Sequence, residues 1–323
     1  MTVPQDLVPV RTFSELSVVD VLYAGGKGAN LGQLSHVGLA VPPGFVVGAP
    51  AYAAFRVQSG LADRLAELLH GLDVGDTAAL QQASEQARQA VRDAPMPDWL
   101  ASAISNSYEA LVGADNDDPV AVRSSATAED TASASSAGLH ETFLNIRGRE
   151  AVIDAVERCW QLLFGARTIY YRAQRGFSRG EIDIAVVVQR QIPSTRCGVM
   201  FTVDPVSGNA DYLVIEGSFG LGEAVASGQV SPDRYVVDKA SMAVTTRSVR
   251  PKELTIASLP GGGTATRPLN AEESREPVLD DDEVLRLAEL GVAIEREYGV
   301  PQGIEWAFDP DGRIWMLQSR PIS

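Results

Sequence analysis

Fifteen consecutive residues, Ser124 to Gly138, carry no bulky apolar side chain: five are Ser, five Ala and two Thr, with one each of Glu, Asp and Gly. A segment with so little to bury gains almost nothing from packing to offset the entropy of ordering it. The chain around it is therefore either two domains joined by a Ser/Ala linker or one fold that carries a mobile flap. Its flanks, "PVAV" before and "ETFLNI" after, are short β-rich runs. A linker should separate domains, whereas this run joins two strands, so the pattern favours a flap. Small side chains, hydroxyl donors and free backbone N–H groups suit a flap that folds over phosphates.

The remainder reads as a packed globule. Of its 323 residues, 45% are hydrophobic and 21% charged, and the length suffices for a large core or two subdomains. The formal charge is 27 − 42 = −15. Such a balance offers no broad basic surface to release counterions, which excludes a general nucleic-acid or anionic-membrane partner. An acidic protein can still bind ATP where a few Lys and Arg converge. Cys159, in "VERCWQLLF", and Cys197, opening "CGVMFT", have no CxxC neighbour and read as reduced buried thiols. The first residues lack a basic start followed by an apolar run, and no stretch of about 18 apolar residues occurs, so the chain reads as cytoplasmic.

Helical periodicity marks "KGANLGQLSHVG" and three segments within 51–112, which should form a bundle over one face of a sheet. Short strands follow in "PVAVRSSA", "ETFLNIRG", "IDIAVVVQRQI", "CGVMFTVDP", "DYLVIEGSFG" and "DRYVVD". "REAVIDAVERCWQLLFGARTIYYRAQ" predicts one long helix among them, and residues 255–275 a surface loop. "DDDEVLRLAELGVAIEREYG" predicts a capped final helix, and "GIEWAFDPDGRIWMLQSRPIS" a hairpin turning at "DPDG".

Several residues could bear chemistry. Lys27 lies in "AGGKGANLG", where turn amides and a lysine can cradle phosphate; the pattern is not a Walker A motif and equally fits an exposed lysine on a glycine turn. Arg123 ends the strand "PVAV" and can offer a two-pronged donor to phosphate, or stand on the surface with no ligand. Glu305 and Gln318 lie on the two arms of the final hairpin, with Arg320 two residues on and on the same strand face as Gln318. A carboxylate beside an amide carbonyl offers hard oxygens to Mg2+, and the arginine could hold phosphates; the alternative is a solvated charged edge. "EGSFGLGEAVASGQVSPDRY" is a further glycine-rich segment, with a carboxylate at Glu223.

Taken in order, "GGKGANLGQL", "VPPGFVV", "VAVRSSATAEDTASASSAGLHETFLNI", "GVMFTVDPVSG", "GLGEAVASGQVSPDRY" and "IEWAF...WMLQSRPI" carry a family resemblance. The chain resembles the ATP-binding domain of rifampin phosphotransferase and phosphoenolpyruvate synthase, and more distantly that of pyruvate phosphate dikinase, from about Lys27 to its last residue. The resemblance implies an α+β, ATP-grasp fold with nucleotide in the cleft between two subdomains. These are expected at 1–190, with the helical insert and a phosphate lid at 124–138, and at 191–323, with the metal and phosphate hairpin. It implies that Lys27 and Arg123 bind the ATP phosphates, that Gly138 and Thr142 belong to the glycine-loop contacts, and that Gln189 lies at the adenine and ribose edge. Glu305 and Gln318 would hold Mg2+, and Arg123 and Arg320 would act on the charge transferred. Relatives move the β-phosphate of ATP to a histidine on a swivelling domain, releasing AMP and phosphate, and a third domain passes it to a small-molecule acceptor.

Two departures from that pattern stand out. No Ser-His phosphocarrier segment and no acceptor domain occur in the sequence, so a histidine-bearing partner domain or chain is expected. Many relatives read Asp-Ile-Glu where this chain has Gly303-Ile304-Glu305, which removes one metal-site carboxylate. Direct phosphorylation of a small molecule and a non-catalytic nucleotide-binding module are the alternative functions.

Overall fold

The computed structural model describes residues 7–113, 117–127, 141–174 and 183–322. The chain forms two compact units, one of residues 1–33 and 43–191, the other of 34–42 and 192–323. The expected division at 190/191 thus differs in two respects: Gln191 closes the first unit, and segment 34–42 belongs to the second. Its Leu34 joins that unit's core, and the Ala40 carbonyl accepts from the Met316 N–H at 2.8 Å.

The first unit contains strands β1 (Val10–Thr12), β2 (Gly44–Val47), β3 (Val120–Ala126), β4 (Thr142–Ile146) and β5 (Ile184–Arg190). They form one antiparallel sheet in the order β1-β2-β5-β3-β4. Its helices are α1 (Val21–His36, whose last turn passes into the second unit), α2 (Ala49–Gln58), α3 (Leu61–Leu69), α4 (Thr77–Asp93), α5 (Asp98–Val112), α6 (Arg149–Gln161) and α7 (Ala166–Gln174). The pleat decides the packing. Phe45, Val47, Val120, Val122, Ala126, Ile184, Val186 and Val188 project to one face and share a core with α2–α7. Trp160 of α6 anchors that core, stacked on Phe55 with ring centroids 4.7 Å apart. The single helix expected over 149–174 is broken: Gly165 is extended, with ψ 141, and a short 3-10 turn at Leu162–Phe164 separates α6 from α7.

The second unit carries β6 (Arg196–Phe201), β7 (Tyr212–Phe219), a short α8 (Glu223–Ala226), β8 (Asp233–Asp238), β9 (Ala243–Ser248), β10 (Leu254–Ser258), β11 (Thr264–Pro268), α9 (Asp281–Tyr298), β12 (Gln302–Phe308) and β13 (Ile314–Pro321). Six strands form an antiparallel sheet, β13-β12-β6-β7-β8-β9, while β10 and β11 pair alone. The expected loop over 255–275 is therefore partly a hairpin. Its strands are mostly exposed, so they show no apolar alternation to read. Helix α9 starts where expected: Asp280 accepts from the Glu283 N–H at 2.8 Å, Glu283 reaches back to the Asp280 N–H at 3.2 Å, and Gly299 ends the helix at φ 68. Its apolar face packs on Met200, Ile215, Ile304 and Trp306. Gly198 and Gly217 leave room for the Trp306 ring, since a Cβ on Gly198 would stand 2.5 Å from it.

Among the described residues no helix is long and apolar enough to cross a membrane. Both cysteines are buried free thiols. Burial pushes both thiols upward, Cys197 to about 12, with the Glu305 charge adding to the Cys197 shift.

One ion pair of the second unit is wholly enclosed. Lys252 Nζ lies 2.7 Å from Asp233 Oδ1, and both side chains are 0% exposed. Asp233 also accepts from the N–H groups of Arg250 and Val278 at 3.0 and 2.8 Å, which ties the β10 approach and the α9 approach to β8. Removing one member of a buried pair leaves an uncompensated charge, at about 3–5 kcal/mol. Lys252→Met should therefore lower the stability measured by urea unfolding by that amount, and Lys252→Met with Asp233→Asn should recover part of the loss. A single variant as stable as wild type would show that the pair is not needed to neutralise Asp233.

Candidate functional site

The glycine turn of the first unit is built against β3. Helix α1 is interrupted at Gly25, which has φ 65 and ψ 173. A Cβ there would lie 2.3 Å from both the carbonyl oxygen and Oγ of Ser125, so only glycine permits this approach. The Ser125 hydroxyl donates to the Ala24 carbonyl at 2.8 Å and accepts from the Gly28 N–H at 3.2 Å. On the adjoining side, Gly28 lies against Val46 of β2. Lys27, at the centre of this turn, is 9% exposed. The turn is thus a packed element, not the exposed loop that its composition equally allowed.

The expected ligand residues of this unit share one sheet face. Core residues alternate with Val46, Ala121, Arg123, Ser125, Val187 and Gln189, which therefore project opposite to the helices. Arg123 stands directly across from Thr142 on β4 and from Val187 on β5, and Ala121 stands across from Gln189. Since the Lys27 turn rests on Ser125 and near Val46, it covers this same face. Lys27, Arg123, Thr142 and Gln189 are brought together on one surface, with Arg123 8% and Gln189 1% exposed.

The expected lid requires a correction at its start. Ser124–Ala126 complete β3, paired residue by residue with Val186–Ile184, and Thr127 Oγ1 donates to the Asp183 carbonyl at 2.9 Å. Ser124 and Ser125 are buried because strand neighbours cover them, so these residues are framework and not flap. Residues 128–138, including Gly138, lie outside the described residues. Ser125 escaped the sequence reading because it stood inside a run read as a flap. The available signal was the continuing alternation Ala121, Arg123, Ser125 beyond "PVAV".

In the second unit, Glu305 of β12 faces Gln318 of β13, and Gly303 faces Arg320. Residues two apart on one strand lie on one face, so Glu305, Gln318 and Arg320 share one face of the sheet. A bulge beside Glu305 leaves Leu317 as the extra residue of β13. The Glu305 row continues through Val199 and Glu216 to Arg234. Arg234 bonds both Glu216 and Asp204 at 3.2 Å. Sequence reasoning missed this ionic group, since its members come from separate strands and turns. Glu223, by contrast, is exposed and accepts from Thr264 Oγ1 at 3.2 Å.

The donor set suits a hard cation only with added oxygens. Among the described residues no three or more His, Cys, Asp or Glu gather around a point. One carboxylate and one amide oxygen, side by side, match Mg2+, which keeps waters and takes phosphate oxygens for the rest of its shell.

Over residues 21–323 the chain matches the family described as pyruvate phosphate dikinase, AMP/ATP-binding domain. It is 46% identical over 316 residues to a probable phosphoenolpyruvate synthase of Methanocaldococcus jannaschii, covering 97% of this chain and 26% of that protein. A probable phosphoenolpyruvate synthase of Methanothermobacter thermautotrophicus is 47% identical over 317 residues, covering 97% and 46%. A Streptomyces rifampicin phosphotransferase is 40% identical over 315 residues, covering 97% and 36%. The chain spans less than half the length of each of these relatives.

The geometry at Gly25 sets up a comparison within the chain. Gly38 also has positive φ, 79, but no atom lies within 4 Å of its Cβ position. Gly38→Ala should cost only the left-handed backbone penalty, about 1–2 kcal/mol. Gly25→Ala adds collision with the Ser125 backbone and should cost at least about 3 kcal/mol, since neither strand nor helix can move apart freely. Equal melting temperatures for the two variants would show that the Gly25–Ser125 approach is not tight.

Proposed function

The chain belongs to the pyruvate phosphate dikinase AMP/ATP-binding domain family, and on that premise we propose that it binds Mg-ATP and passes the β-phosphate to a histidine on a separate domain or chain. The α–β bond breaks to release AMP, water takes the γ-phosphoryl group as phosphate, and the phosphohistidine serves a small-molecule acceptor. The observation that carries this reading is the shared face of Lys27, Arg123, Thr142 and Gln189, with a glycine turn packed upon it. Two buried cations, turn amides, a hydroxyl and an amide side chain on one surface match a nucleotide whose phosphates are the charged end. In this reading the fold is of the ATP-grasp kind.

The chain's own groups act by position and charge. Lys27 is a point charge on the turn, and Arg123 a planar fork held by its strand. Gln189 offers a donor and an acceptor to the base or ribose. Glu305 and Gln318 would hold Mg2+, which supplies charge neutralisation on the phosphates. Arg320 stabilises the charge that develops as the phosphoryl group leaves.

Incubating the protein with Mg-ATP and a histidine-bearing domain of a relative should yield phosphohistidine with AMP and phosphate. Formation of ADP would instead favour direct kinase chemistry, and tight binding without turnover a nucleotide sensor. Arg123→Ala and Arg320→Ala should each reduce turnover roughly 30- to 1000-fold, equivalent to about 2–4 kcal/mol, without lowering the melting temperature. Wild-type rates in either variant would remove that arginine from the site.

Gly303→Asp tests the missing carboxylate. The atoms nearest a Cβ at 303 belong to Arg320 and Ile322, at 3.7–3.8 Å, an ordinary contact distance, so a side chain is admitted on the Glu305 face. The Mg2+ concentration giving half-maximal activity should fall. An unchanged or higher requirement would show that an aspartate here pairs with Arg320 and does not serve the metal.

A further inference from the structure

We propose that Ser125 is a positioning residue for the phosphate chain: its hydroxyl replaces one rung of helix α1 and thereby fixes the Lys27 turn relative to Arg123. This rests on the ATP-binding reading above.

In an unbroken helix the Gly28 N–H would donate directly to the Ala24 carbonyl, four residues back. Gly25, at φ 65 and ψ 173, breaks that geometry. Ser125 Oγ occupies the rung instead. It takes the Gly28 N–H at 3.2 Å and gives its own proton to the Ala24 carbonyl at 2.8 Å. A side chain inserted into the ladder is a recognised cause of a helix kink. Here the inserted side chain comes from a strand about a hundred residues away, so the kink is tied to the sheet. The three residues inside the bridged turn are Gly25, Gly26 and Lys27. The bridging residue lies two positions from Arg123 on the same face of β3. One rigid path therefore runs from Lys27 through Ala24 and Gly28 to Ser125, and along β3 to Arg123.

The chemistry restricts what can stand at 125. The group must donate and accept at once, with its oxygen 0% exposed beside a glycine that admits no further atom. Alanine leaves a buried N–H and a buried carbonyl without this partner. Cysteine puts a larger sulfur in the same place, and it is a weak donor and acceptor. Neither removes a group that touches nucleotide, so any loss must come through the position of the turn.

The experiment compares Mg-ATP and AMP binding by calorimetry in wild type, Ser125→Ala and Ser125→Cys. AMP lacks the outer phosphates and reports on the base and ribose contacts. Both variants should lose about tenfold in ATP affinity, the size of one lost buried hydrogen bond, while AMP affinity stays within about twofold. The ratio of the two dissociation constants is the readout that general destabilisation does not move. An unchanged ratio in Ser125→Cys, or equal losses for ATP and AMP in both variants, overturns the proposal and makes Ser125 merely structural. A wild-type protein that binds ATP no better than AMP overturns the parent reading together with this one.

Discussion

A β-strand sends successive side chains to opposite faces, and the polar residues of the proposed site are arranged by that period of two. On β3 the residues Val120, Val122 and Ala126 enter the helical core, while Ala121, Arg123 and Ser125 face the other way. β5 repeats the pattern, with Ile184, Val186 and Val188 in the core and Gln189 opposite. β12 repeats it again, with Ile304 and Trp306 against α9 and Glu305 on the reverse face. The packed face holds register, and register holds the polar groups on the reverse face. A slip of one residue would turn Arg123 and Glu305 into the apolar cores and the valines onto the polar face, which makes register expensive to lose.

In the proposed reading, this arrangement is how an acidic chain engages an anionic ligand. With a formal charge of −15, the long-range field is unhelpful. Binding must come from short-range donors held without reorganisation. Lys27 and Arg123 are each under a tenth exposed and rest on glycine and strand backbone. Their positions are settled before a ligand arrives, so little of the interaction is spent on ordering flexible side chains. The second unit handles charge differently. Arg234 is already bonded to Glu216 and Asp204, so the cation that closes the Glu305 row is committed to two carboxylates.

Local pattern made much of this legible. The alternation in "PVAV" and "IAVVVQ", the helical period over 51–112, the Asp280 cap and the "DPDG" hairpin are set by neighbours in sequence. The proposed site residues Arg123, Thr142, Gln189, Glu305 and Gln318 are named from the family resemblance, and strand position explains only which of them share a face. What was illegible depends on distant partners. Segment 34–42 belongs to the second unit only through contacts such as Leu34 with that unit's core. Arg234 finds Glu216 and Asp204 through strand register and a turn. The break at Gly165 interrupts an apolar period that continues on both sides, so periodicity alone carries through it.

The stretch from Ser124 onward shows why absence of apolar bulk is not the same as freedom. At 124–126 small residues are needed because backbones crowd: Gly25 lies against the Ser125 carbonyl, and β5 flanks the strand on one edge. A larger side chain at 125 would separate α1 from β3 and undo the bridge between Ala24 and Gly28. Composition records only that little surface is available to bury. It does not record whether the small residue stands in open solvent or where two chains meet more closely than a methylene allows. The distinction appears only when the partner is known, and here that partner is a glycine turn a hundred residues earlier. Ser125 then has two duties in one atom. It must be small enough for the approach, and polar enough to satisfy the two backbone groups that the approach leaves open.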